Sequence, residues 1–371
     1  MPALPSTNPN PTILITGANG YIGTWAVKTT LERGYSVRAV VRTESKSASL
    51  RELFGNYIEK GKLEFKYVED LTKDGAYDEV VKDVDAILHI ASPLPTQSSD
   101  PQDTIPPAVE GTLGMLQSAL KTGNNVKRVV ITSSTAAVVT NDLEEARTFT
   151  EADWNERVIK QVEEGGSNVH FFLFYRASKI LAEKAAWNFY NTNKSSIGWD
   201  MTAINPPYVY GPSLEPHIAS PSSIGGTQQL WWNQVVDIPS EGLTKEALGI
   251  KGGNTWVDVR DLAEAHVRAL EREGAGGERI IVSGGPYIWQ EWIDTVNALA
   301  SPAIQPVLPK GYPELASGEI PYHIRVDTSK GERLLGLKYR TKEDMVRDIW
   351  ADVERRGWSE GLAKKGSVAG L

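Results

Sequence analysis

Cysteine is absent from the 371-residue chain, which excludes disulfides, thiolate metal sites and a cysteine nucleophile and leaves any chemistry to oxygen and nitrogen groups. An excess of positive charge is lacking too. Lys and Arg total 39 against 47 Asp and Glu, a net charge of −8, so no diffuse basic field draws in nucleic acid or an anionic membrane surface. No apolar run approaches the roughly 20 residues of a membrane span. The opening MPALPSTNPNPT has neither a basic n-region nor an apolar h-region, so no secretory leader is expected and the cytoplasm is the default location. Histidine is sparse: His89, His170, His217, His266 and His323 stand without metal-ligand spacing, and no metal is assigned. What is present is 40% apolar and 23% charged residues, the balance of a folded globular protein.

Short apolar or β-branched runs alternate with helical patterns, the signature of βαβ units on a parallel sheet. Strands are predicted at Thr12–Thr16, Ser36–Val41, Leu63–Val68, Ala86–Ile90, Val126–Thr132, Met201–Asn205 and Arg279–Val282. Helices are predicted at Tyr21–Arg33, Ala76–Lys82, Ile105–Lys121, Phe172–Asn191 and Val257–Glu273. The fold class is α/β: a Rossmann doubly wound parallel sheet with a smaller, discontinuous C-terminal substrate lobe. A Pro-rich tail (1–10) precedes a cofactor domain (11–205 plus 257–283), a substrate lobe (206–256 plus 284–345) and a C-terminal helix and polar tail (346–371).

The segment from Ile13 to Gly23 reads as strand, Gly-rich turn and helix start, with glycines spaced GxxGxxG. Gly17 permits a tight turn, Gly20 lets backbone approach a pyrophosphate and Gly23 lets the helix pack on the strand, while the helix N-terminus offers amides and positive dipole. The second strand ends in Val41-Arg42, where NAD-binding folds place an acid for the ribose 2′-hydroxyl. A guanidinium there pairs instead with a 2′-phosphate, and Lys46 follows as support, so NADP is favoured over NAD. Asp70-Leu71 after the third strand suits the adenine, although Asp70 is equally an N-cap of the turn that follows. Ile90-Ala91-Ser92 ends the fourth strand, at the carboxyl edge where open α/β sheets bind ligands.

Tyr175 and Lys179 are spaced i,i+4 on one helix face. A cation beside a phenol favours phenolate, so the spacing predicts a tyrosine titrating below its usual value of about 10 and able to give or take a proton. Reduction of a carbonyl needs one proton at the nascent alkoxide, which such a phenol supplies. The fifth strand ends in Thr132-Ser133-Ser134-Thr135; Ser134 is chosen to hydrogen-bond the carbonyl oxygen, with Ser133 as competitor. Tyr208 and Trp231 either line a substrate pocket or pack the lobe core.

Together these runs resemble the extended short-chain dehydrogenase/reductase family over about residues 11–345. Within it the runs SSTAAV, AEKAAW and VDVRDLAEAH are similar to the dihydroflavonol 4-reductase-like branch, which includes fungal NADPH-dependent aldehyde and ketone reductases. The resemblance implies a Ser134-Tyr175-Lys179 triad, Lys179 also holding the nicotinamide ribose and Pro206 lying along the carboxamide. It implies a cofactor site of Thr16, Gly17, Asn19, Gly20, Tyr21, Ile22, Gly23, Arg42, Lys46, Asp70, Leu71, Ile90, Ala91, Ser92, Thr132, Ser133, Tyr175, Lys179, Pro206 and Val209. Substrate-side residues would be Pro93, Leu94, Thr135, Tyr208 and Trp231. The implied activity is NADPH-dependent reduction of small aldehydes or ketones by a monomer or homodimer. Redox-neutral sugar epimerases and dehydratases, hydroxysteroid dehydrogenases and a non-catalytic NADP sensor share the fold. No acid follows Ser134, and Val138-Val139-Thr140 stands where epimerases show Tyr-Gly. Glu110 precedes Gly111 where the wider family carries Asn, a departure that leaves local hydrogen bonding there different.

Overall fold

The computed structural model describes residues 4, 9–92, 100–141, 143–239 and 242–362, so Pro93, Leu94 and the 363–371 tail lie outside the described residues. Seven strands make the main sheet: β1 Thr12–Thr16, β2 Ser36–Val41, β3 Leu63–Tyr67, β4 Ala86–His89, β5 Arg128–Thr132, β6 Asp200–Asn205 and β7 Arg279–Ile281. Their order is β3-β2-β1-β4-β5-β6-β7 and every pairing is parallel. Parallel strands covered on both faces need apolar side chains on both, which is why they read as continuous hydrophobic runs. Ile13 and Ile15 pack on one face with Ala26 and Leu31 of α1 (Tyr21–Glu32), while Leu14 packs on the other with Met115 and Leu116 of α2 (Ile105–Thr122). The α3 helix (Phe171–Asn193) joins α2 on that second face through Ala186 and Tyr190.

A second core is built from aromatic rings. It gathers Trp231 and Trp232 of α4 (Gly226–Val235), Tyr210, Trp256, Tyr287, and, past α5 (Val259–Glu271), Trp292 of α6 (Trp289–Leu299) and Trp350 of α7 (Lys342–Arg355). A small sheet in which Asn254–Asp258 lies between Tyr208–Tyr210 and Gly285–Tyr287 supports it.

Two predicted elements differ. Ala76–Lys82 is a series of turns, with Ala76 bonding back to Lys73 and Asp78 to Gly75. Tyr77, Val80, Val81 and Val84 are still buried there, but Asp78 accepts from the buried Ser118 hydroxyl of α2 at 2.8 Å and Asp83 takes φ +60°, so the apolar residues are inserted without a regular helix. The pattern starting at Val257 divides into the strand ending at Asp258 and α5, because the Asp258 carboxylate accepts from the Arg260 amide at 2.8 Å and caps the helix.

Candidate active site

The sheet order reverses between β1 and β4, and in such sheets the crevice beyond the carboxyl ends at that point is the ligand site. Thr16, His89, Thr132 and Asn205 end their strands side by side there.

The Gly-rich turn leaves β1 with Gly17 at φ +65°, in the left-handed region. A Cβ on Gly17 would stand 2.9 Å from the Ala91 backbone, and one on Gly23 would stand 2.0 Å from the Gly17 carbonyl oxygen, so both positions are filled by backbone alone. Asn19 and Gly20 are exposed, no side chain caps α1, and its first turn holds no acid. This cradle of uncapped amides at a helix N-terminus fits a pyrophosphate. Thr16 is buried beneath it: its hydroxyl accepts from the Ala91 amide at 3.1 Å and lies 3.0 Å from His89 Nδ1, so its place is structural support of the turn. Tyr21 likewise turns its hydroxyl away to donate to the Gly211 carbonyl at 2.8 Å, and Trp25 Nε1 donates to Pro212 at 3.0 Å, which leaves the first-turn backbone to face the crevice.

Arg42 and Lys46 are both exposed, Arg42 directly after β2 and Lys46 in the Glu44–Ser47 turn. Arg42 is near enough to Asp70 to help hold that carboxyl below its usual range, although the larger cause is hydrogen bonding from Thr72. The Asp70 Oδ1 accepts from the Thr72 amide at 2.9 Å and hydroxyl at 2.6 Å, the capping role open from sequence. Leu71 packs where a Cβ on Gly111 would come within 2.1 Å, so the glycine beside Glu110 makes room for the Leu71 side chain. Ile90, Ala91 and Ser92 are half-buried at the β4 end of the crevice.

At the other end polar groups are closed in. His266 Nδ1 faces the Leu262 carbonyl at 2.7 Å, to which it can only donate; its Nε2 therefore accepts from the Thr132 hydroxyl at 2.7 Å. Burial pulls its pKa to about 4, and burial followed by the Lys179 charge does the same for His89. Ser133 is buried and donates to Glu183 at 2.5 Å, so its hydroxyl is committed to the protein interior. Ser134 caps the short Thr135–Ala137 turn, its hydroxyl donates to the Pro206 carbonyl at 3.4 Å, and it lies near enough to Tyr175 to act on the phenol's pKa. Of the two serines, the one beside the phenol is Ser134. Thr135 is buried and its amide donates to the Pro206 carbonyl at 2.9 Å, holding β5 against Pro206 and buried Val209.

The Tyr175 phenol differs from the expectation. Burial raises its pKa, and the nearby Ser134 hydroxyl opposes this only in part. The Lys179 ammonium lies 5.9 Å from the Tyr175 ring centroid and donates to the Thr132 carbonyl at 3.4 Å, so its charge does not rest on the phenol oxygen. Lys179 itself is 8% exposed, and burial lowers its pKa to about 8 against the raising influence of Glu183. Tyr208 is half-buried, near enough to influence Tyr175. Trp231 is 2% exposed and packs edge-on to Trp292 at 6.4 Å, so it belongs to the aromatic core. Residues that sequence reading missed are Glu183, Asn205, Arg279 and Asn155, all buried polar groups bonded to one another or to the segment after β5.

A doubly wound parallel sheet with this turn at its reversal point and a Tyr-Lys pair facing it from α3 defines a nicotinamide-dependent short-chain dehydrogenase/reductase. Residues 13–283 match the NAD dependent epimerase/dehydratase family, and the chain belongs to it, on the dihydroflavonol 4-reductase-like branch of the extended short-chain reductases. It is 31% identical over 354 residues to NADPH-dependent methylglyoxal reductase GRE2 of Saccharomyces cerevisiae, which covers 92% of this chain and 97% of that protein. It is 32% identical over 345 residues to ketoreductase azaE of Aspergillus niger, covering 91% and 95%. The crystal structure of Gre2 from Candida albicans in complex with NADPH superposes with a TM-score of 0.80 at 30% identity, covering 93% of this chain and 99% of that one.

Proposed function

We propose that the chain reduces small aldehydes or ketones through a Ser134-Tyr175-Lys179 triad, with the phenol of Tyr175 as proton donor. It is an NADPH-dependent oxidoreductase of C=O and CH–OH groups, the class to which its relatives' names assign them. Residues 11–205 and 257–283 would hold the cofactor, and 206–256 with 284–345 would choose the substrate. The Gly17–Gly23 turn would hold the pyrophosphate, Arg42 and Lys46 the 2′-phosphate, and Lys179 the nicotinamide ribose.

The observation that carries the reading is the convergence of Ser134, Tyr175 and Lys179 at the carboxyl edge of the sheet: the Ser134 hydroxyl is near enough to the Tyr175 phenol to oppose the rise that burial imposes on its pKa, and the Lys179 ammonium lies 5.9 Å from the Tyr175 ring centroid. Bound NADPH supplies the hydride to the carbonyl carbon. The Ser134 hydroxyl donates to the carbonyl oxygen as charge develops on it. Tyr175 passes its proton to that oxygen, completing the alcohol, a transfer worth roughly 10²–10⁴ in rate. Lys179, an ammonium below pH about 8 and 5.9 Å from the Tyr175 ring centroid, is the cation on the same helix face toward which the phenolate left behind is drawn. Arg42 at the open end favours the 2′-phosphate over a bare ribose.

The test is loss of reduced-nicotinamide absorbance with NADPH and NADH in parallel, against aldehydes, diketones and keto esters. Oxidation strongly favouring NADPH is expected. Tight NADPH binding with no carbonyl consuming it would sink the reductase reading and bring sugar nucleotides forward as substrates.

A further inference from the structure

Glu183 lies one helical turn beyond Lys179 on α3 and is 1% exposed. A carboxylate so deep costs several kcal/mol unless its oxygens are well bonded. Four donors engage it. Ser133 Oγ and Asn205 Nδ2 donate to Oε2 at 2.5 and 2.8 Å; Arg279 Nε and Trp187 Nε1 donate to Oε1 at 2.6 and 3.2 Å. Three of the four come from the residue after β5, the last residue of β6 and the first of β7, so one carboxylate ties three neighbouring strands together.

The network leads to the catalytic hydroxyl by two routes. The Asn205 amide also donates to the Ser134 carbonyl at 3.2 Å, so the Ser133 side chain and the Ser134 main chain are both referred to Glu183. Arg279 continues to the carbonyls of Glu151 and Asp153 at 2.8 and 2.6 Å and lies 3.7 Å from the Trp154 ring centroid. The next residue, Asn155, donates to the Ala136 and Val139 carbonyls at 3.2 and 2.8 Å and closes the turn that Ser134 caps. A buried ion pair kept for stability alone gains little over an apolar replacement, so a network converging on one serine from two sides asks for another account.

We propose that Glu183 is a positioning residue for the reduction: through Ser133 and Asn205 it fixes the Ser134 main chain so that the Ser134 side chain stands beside Tyr175, and it supplies the counter-charge that keeps Lys179 an ammonium. This rests on the triad reading above. Lys179 is faced by Tyr175 and Glu183 on its own helix, by His89 from β4 and by the Thr132 carbonyl of β5, with Arg279 of β7 behind Glu183 and Arg176 and Tyr208 beside Tyr175. His89 is neutral near pH 7, so Glu183 is the anion opposing the burial of Lys179. Removing that anion drives the ammonium to lose its proton sooner, and the alkaline limb of the activity profile moves below pH 8.

The experiment compares Ser133→Ala, Glu183→Gln, the paired Glu183→Gln/Arg279→Gln and Tyr175→Phe in the full chain. It measures NADPH oxidation with an aliphatic aldehyde from pH 6 to 10, NADPH affinity by fluorescence, and unfolding temperature. Ser133→Ala should lower kcat on the order of tenfold, as for one lost hydrogen bond, with NADPH affinity within about twofold. A Glu183 variant that folds should shift the alkaline limb down by about half a pH unit or more. The paired variant avoids leaving Arg279 unneutralised, and Ser133→Ala decides alone if neither Glu183 variant folds. Wild-type kcat and an unmoved alkaline limb in folded variants, beside a dead Tyr175→Phe, overturn the role of Glu183 and leave the triad standing. Full turnover in Tyr175→Phe overturns both.

Discussion

The two ends of the crevice are built by opposite means. At the glycine-turn end the groups are main-chain amides and exposed cations: Asn19, Gly20, Arg42 and Lys46 stand open, and the turn depends on side chains being absent at Gly17 and Gly23. At the other end buried side chains bond one another, with His266 facing the Thr132 hydroxyl and Ser133 donating to Glu183. An open end suits a charged ligand that brings its own acceptors, and a closed end suits a proton that must be held until needed. Backbone geometry sets affinity in the first; electrostatic surroundings set reactivity in the second.

Substitutions at the two ends should therefore separate. Tyr175→Phe, at the closed end, should lower kcat by roughly 10²–10⁴ while NADPH affinity, read by fluorescence, changes by less than about twofold. A parallel loss of affinity would break the division. The second effect is on stability. His89 and His266 are held near pKa 4 in the fold against about 6.5 unfolded, so between these values the unfolded chain binds more protons. Stability is intact above pH about 6.5 and falls towards pH 4 by about 3 kcal/mol for each histidine, to be checked by urea unfolding across that range. Gly23→Ala, at the open end, sets a Cβ against the Gly17 carbonyl; NADPH affinity should fall on the order of 100-fold, with the KM for aldehyde little changed. Arg42→Leu sharpens the comparison most finely: the ratio of kcat/KM for NADPH over NADH should drop roughly tenfold, and kcat with saturating NADPH should hold.

How much of this was legible follows the same division. β1 and β2 lie where they were predicted, at Thr12–Thr16 and Ser36–Val41, because a strand buried on both faces must be an unbroken apolar run. The glycine turn was legible because only one residue type meets its steric demand at Gly17 and Gly23. Three-residue strands such as Tyr208–Tyr210 and Gly285–Tyr287 carry too few residues for any period to register. Glu183 was missed because its partners Ser133 and Arg279 are 50 and 96 residues away in the chain. One signal was available: an acid one turn after Lys179, between the apolar Ile180 and Ala186, on a face that the helix buries. The Tyr175 shift was misjudged in direction since i,i+4 spacing fixes a helix face but not where a long lysine sends its charge, and here Thr132 receives it.

The bonds from Tyr21 and Trp25 to Gly211 and Pro212 tie α1 to the chain just after it enters the aromatic lobe. The lobe is thereby a rider on the helix that follows the glycine turn. A chimera that grafts a relative's lobe onto this sheet keeps Tyr21 and Trp25 in place but must present main-chain carbonyls at 211 and 212 to them, or the graft arrives without its hitch; conversely, a library that varies the lobe but spares residues 211 and 212 keeps the harness to α1 intact while specificity is rebuilt.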